Sequence, residues 1–137
     1  MSTPHATKSA IPIPATIPRG ARKLFVLLAD PLSLTRIPSI KTELDAYLIK
    51  VRAFPIEQRK FDPVLVEHMG RVCYELLTIY SDLSEPHRAL SIGAIRYFIT
   101  ENDAHEDLAD PMGFDDDLAV LNAVVTDIGR EDLAIIR

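Results

Sequence analysis

The chain has 137 residues, 47% apolar and 26% charged, with a formal net charge of −5 and a single cysteine. That length and composition give one globular domain and exclude a disordered chain. They also exclude an intrachain disulfide and a four-cysteine zinc site, and the net charge argues against a general nucleic-acid binder. No apolar run approaches the roughly 20 residues that cross a bilayer.

Residues 1–20 hold Pro4, Pro12, Pro14 and Pro18 among Ser, Thr and Ala. Proline removes backbone donors and pushes its neighbours into extended conformations, so a flexible proline-rich tail is expected over 1–20, with an arm docked on a partner or on its own domain as the alternative, ahead of a single helical domain over 21–137. The tail lacks the apolar core and small-residue cleavage site of a secretory signal, and a cytoplasmic location is expected.

From Ala21 the pattern reads as helices. Ala21 to Asp30 is short and apolar, ended by Pro31. Ser39 to Phe54 places Ile40, Leu44, Tyr47, Leu48 and Val51 on one helical face. Asp62 followed by Pro63 is an N-cap with proline at the first helical position. Beyond it, Leu65, Met69, Val72, Leu76, Ile79 and Leu83 repeat at intervals of four and three. Ser84-Glu85-Pro86 opens another helix, apolar on most sides and so expected to be deeply buried. Asp115 to Asp117 are expected to cap a last long helix, with Leu118, Leu121, Val125 and Ile128 inward and Gly129 as its stop. The closing Glu131 to Arg137 is expected to form a short final turn or a contact. No alternating strand appears. The expected fold is all-α, a compact bundle of about five helices.

The net charge conceals a division. Residues 1–60 carry ten Lys and Arg against four acids, a net of +6; residues 61–137 carry five Arg against sixteen acids, a net of −11. Within 101–117 lie Glu101, Asp103, Glu106, Asp107, Asp110, Asp115, Asp116 and Asp117, with no Lys or Arg among them. Like charges at this density repel, and helix N-termini, the chain's own Arg88 and Arg96, a cation or a basic partner could offset them.

The stretch Ala94 to Leu121 resembles the signature of the YkvA-like domain, a bacterial helical family of unknown function. The resemblance is carried by Tyr97, Phe98, Asp103, Asp107, Pro111, Gly113, Phe114, Asp116, Asp117 and the run Leu118 to Leu121. Between its first two aspartates the family usually reads Leu-Ile-Pro, where this chain has the more polar Ala104-His105-Glu106. The resemblance implies a fold motif and paired aspartates, and it implies no activity.

Three functional readings follow. In the first, the protein is a non-catalytic interaction or regulatory module. It docks a basic segment on the acidic turn 101–117, from a protein partner or from the basic tail (Lys8, Arg19, Arg22, Lys23) of the same chain or a second copy, with Glu101, Glu106, Asp110 and Asp115 as contact residues. The folded domain then avoids nucleic acid, because its acids repel phosphate. In the second, Asp103, Asp107, Asp116 and Asp117 supply oxygen ligands to Mg²⁺, Ca²⁺ or Mn²⁺, structural or hydrolytic, and His105 would favour a transition metal. In the third, the basic amphipathic segment Arg19 to Arg36 lies on an anionic membrane surface. His68, His87 and His105 make no metal-binding spacing and read as ordinary residues. Cys73 sits on an apolar helix side and reads as a small buried hydrophobe.

Overall fold

Proline and capping residues divide the chain into short helices, and the apolar stripe of each one decides where it packs. The computed structural model describes residues 11–100 and 114–136. Among the described residues there are five α-helices and no strand: α1 (Arg19–Leu28), α2 (Ile37–Ala53), α3 (Pro63–Ile79), α4 (Glu85–Ile99) and α5 (Asp115–Asp127). The all-α expectation holds.

Two starts form as their residues dictate. Asp62 Oδ1 accepts from Val64 N at 3.0 Å and Leu65 N at 3.3 Å, and Pro63 occupies the first turn of α3. Ser84 Oγ accepts from His87 N at 3.4 Å at the start of α4. Each satisfies donors that a helix start leaves orphaned. The end of α5 is a Schellman motif: Gly129 N–H donates to Thr126 O at 3.1 Å and Arg130 N–H to Val125 O at 2.8 Å. Gly129 has φ +83°, a conformation costly for any residue with a Cβ. α2 starts at Ile37, two residues earlier than expected. A 3₁₀ turn over Leu34–Arg36 runs directly into it, so no capping side chain marks the boundary.

α4 is the centre of the bundle and touches each of the other four helices. Ala89 through Ile95 are all buried, as are Phe98 and Ile99, which matches the expectation of a helix apolar on most sides. α1 crosses it most closely at Gly93. A Cβ there would lie 2.8 Å from Phe25 Cε1 and 3.2 Å from the Ala29 backbone, so only glycine admits the Phe25 ring.

A chain of aromatic rings ties the elements together. Tyr47 of α2 meets Phe98 of α4 at 5.2 Å between centroids, Phe98 meets Phe114 at 6.2 Å, Phe114 meets Phe61 at 5.8 Å, and Phe61 meets Phe54 at 6.4 Å. Tilted and edge-on contacts of this kind add to simple apolar burial. Phe114, 3% exposed, thereby fixes the residue immediately before α5.

Two expectations need correction. The flexible tail drawn to residue 20 does not extend over residues 11–18. Ile11 and Ile17 are buried and Ile13 packs against the core. Pro14 O accepts from Ile17 N at 3.1 Å and from Arg22 Nη2 at 3.2 Å. Proline keeps such a segment extended without preventing its isoleucines from being buried. On α5 the inward face is rotated. Val120, Leu121, Ala123, Val124 and Val125 are buried, whereas Leu118 and Ile128 are half-buried at its margins. Asp117, 5% exposed, stands at the head of that buried face.

Candidate functional site

The described part of the acidic region is the first turn of α5. Its N-cap is Phe114, which has no capping side chain, so the expected aspartate cap is replaced by an aromatic anchor. Asp115, Asp116 and Asp117 occupy the first turn instead, where the helix dipole favours negative charge. They divide by environment: Asp115 is half-buried, Asp116 is exposed and Asp117 is buried. Glu101, Asp103, Glu106, Asp107 and Asp110 lie outside the described residues, as does His105.

Asp115 is one end of an open groove of about 380 Å³ along α5, lined further by Leu118, Ala119 and Asn122. These positions recur at three and four residues and so form one outer stripe of the helix. Asn122 closes the other end. Its Nδ2 donates to Ile135 O at 2.9 Å and its Oδ1 accepts from Ile135 N at 2.8 Å. One side-chain amide thus satisfies both backbone groups of Ile135, whose side chain is buried while Ile136 is 93% exposed. The expected short final turn is present over Glu131–Leu133.

The inward aspartate has an unexpected neighbour. Cys73 of α3 is fully buried; burial pushes its thiol pKa upward, and the charge of Asp117 pushes it the same way. A thiol so shielded is a poor nucleophile. Arg88, a candidate partner for the acids, is used elsewhere. Its Nε donates to Tyr80 O at 3.0 Å and its Nη2 to Ser81 O at 2.7 Å, and its guanidinium lies 5.2 Å from the Tyr80 ring centroid. His68 is exposed and His87 half-buried. Among the described residues no group of three His, Cys, Asp or Glu side chains is placed to hold a metal ion.

A second polar region lies along the α2–α3 seam and had no signature in the sequence. Arg52 grips Glu67 through Nε at 2.8 Å and Nη2 at 2.9 Å. The Tyr74 hydroxyl donates to Asp45, whose carboxyl is held below its ordinary range chiefly by that bond; Lys41 Nζ adds an ion pair at 3.6 Å. Burial first, and Asp45 second, push the Tyr74 pKa up to about 12. Arg59 donates to Phe54 O at 3.0 Å and Arg52 O at 2.6 Å, capping orphan carbonyls at the end of α2. With Val51, Arg52, Phe61, Pro63 and Glu67 it lines a cleft of about 150 Å³. The donors Arg52 and Arg59 direct here are taken by the protein itself, so the seam reads as a structural fastening.

No family model, no curated protein and no solved structure matches the chain. Of the residues that carry the YkvA-like resemblance, Tyr97 and Phe98 lie on α4, Phe114 immediately precedes α5, and Asp116, Asp117 and Leu118 to Leu121 lie at its start; Pro111 and Gly113 lie outside the described residues. The Phe98–Phe114 ring contact joins the two ends of that signature.

Proposed function

We propose that the protein is a non-catalytic interaction module of YkvA-like type whose acidic turn, residues 101–117 with the groove on α5, docks a basic segment of a partner protein. One observation carries the reading. α5 carries a stripe of half-buried Asp115, Leu118, Ala119 and Asn122 that lines an open groove beside the exposed Asp116, and the sequence between Arg96 and Arg130 contains no Lys or Arg. Half-buried apolar residues flanked by acids suit a segment that alternates aliphatic and basic side chains.

The test is anisotropy of a labelled Lys- and Leu-containing peptide titrated with the full chain. Binding is expected to weaken as salt rises, because exposed charges are screened over about 10 Å at 0.1 M ionic strength. The double variant Asp115→Asn, Asp116→Asn is expected to lower affinity several-fold. The equally neutralised control Glu85→Gln, Asp127→Asn is expected to leave it unchanged. Equal affinity for the two double variants would remove this surface from the proposal.

A further inference from the structure

We propose that the outer face of α1 is a docking surface for an anionic lipid bilayer. Its inner face is committed to the core: Ala21 and Phe25 are fully buried, and Ala29 just beyond the helix is 1% exposed. That leaves Arg19, Lys23 and Leu27 outward at successive turns, with Val26 beside them. Leu27 is 64% exposed and Val26 37%. Leu34, 50% exposed, and the exposed Arg36 follow on the next turn, and the buried Leu32 holds the connection between them. No acid precedes Asp30 anywhere in the chain.

The charge on α1 also opposes the dipole of its own helix. α1 has no acidic residue in its first turn and instead carries Arg19 and Arg22 there. Positive charge at a helix N-terminus opposes the dipole, and α5, with three aspartates in its first turn, has the favourable arrangement. Arg22 is partly accounted for by its bond to Pro14 O. Arg19 and Lys23 are not accounted for by packing, since both are exposed.

The nearby aliphatic side chains select the partner. A nucleic-acid backbone rewards the charges and gains nothing from Leu27 and Val26. An anionic bilayer rewards both, attracting Lys and Arg to its headgroups while the aliphatic side chains enter the boundary below them. Attachment is interfacial and reversible, and among the described residues no helix is long and apolar enough to cross a membrane.

Vesicle flotation of the full chain tests this. The protein is expected to float with phosphatidylcholine vesicles containing about one third phosphatidylglycerol, and to stay behind with phosphatidylcholine alone. Each basic residue near such a surface is worth about fivefold in partitioning, so Lys23→Glu is expected to reduce binding by about tenfold or more. Leu27→Ser is expected to reduce it several-fold. Lys60→Glu and Ile56→Ser, exposed on the α2–α3 connection, are expected to change binding less than about twofold. Arg19→Glu is the decisive variant: it is expected to raise the melting temperature by relieving the dipole conflict and yet to weaken flotation. Wild-type protein that ignores anionic vesicles overturns the proposal. So does equal loss of binding in Lys23→Glu and Lys60→Glu, which would reduce it to net charge. Self-association that Leu27→Ser abolishes, with no flotation, would assign the face to a second copy instead.

Discussion

α1 and α5 pack on the same central helix and show solvent opposite faces. α1 buries Ala21 and Phe25 against α4 and exposes Arg19 and Lys23; α5 buries Val120, Leu121 and Val124 and exposes Asp116. α1 contains no acid and α5 contains no base. Burial constrains only one side of a peripheral helix. The inner faces are set by what α4 accepts, and the outer faces are free to carry charge of either sign. In the first turn of α5 the charge agrees with the helix dipole, whereas in the first turn of α1 it opposes it. The helix dipole therefore favours the acids at the start of α5 and does not favour the bases at the start of α1.

The largest effect is expected from loosening α1 from α4. Phe25→Ala removes a fully buried ring at the Gly93 crossing and is expected to cost about 3–5 kcal/mol in denaturant unfolding. Gly93→Ala forces that ring to move and is expected to cost about 1–3 kcal/mol. Combining Gly93→Ala with Phe25→Leu should cost less than the sum of the two single changes, because the smaller side chain yields the space. Strict additivity would show that the crossing is not where α1 is held.

The corresponding change on α5 is smaller. Asn122→Ala leaves the N–H and C=O of Ile135 without their side-chain partner and is expected to cost about 1–3 kcal/mol. Faster hydrogen exchange at the Ile135 amide should accompany it. An unchanged exchange rate would mean that buried Ile135 holds the C-terminal segment without Asn122.

The smallest effects concern charge and have opposite signs. Asp116→Asn is expected to destabilise the fold by about 0.3–1 kcal/mol at low salt, and Arg19→Glu to stabilise it by a similar amount. Both should shrink as salt is added. Thermal melts at two ionic strengths read the pair, and the same sign for both would dissolve the contrast drawn between the two helices.

Much of the fold was legible because it depends on local chemistry. Asp62-Pro63 and Ser84-Glu85-Pro86 mark helix starts through bonds that span three residues, and Gly129 marks an end through its own φ. The burial of α4 follows from apolar residues on nearly every side. The candidate site was legible only as a concentration of acids between 101 and 117. The sequence pattern could not separate exposed Asp116 from buried Asp117, because adjacent residues on a helix point about 100° apart and the inward direction is set by the partner helix. Nor could it reveal the burial of Ile11 and Ile17, since an extended proline-rich segment lacks the periodicity by which burial is read.

By itself the sequence determined the all-α class, the helix starts at Asp62 and Ser84, the stop at Gly129, and the division of charge between the two parts of the chain. All of these rest on interactions within a few residues or on composition. The tertiary structure alone decided that Phe25 enters the space left by Gly93, that Asp117 comes within electrostatic reach of Cys73, that Arg88 serves Tyr80 and Ser81 rather than the acids, and that Arg19, Lys23 and Leu27 form an outer face. Most of these depend on how one helix is rotated against another, and that rotation is set by the fit of side chains distant in sequence.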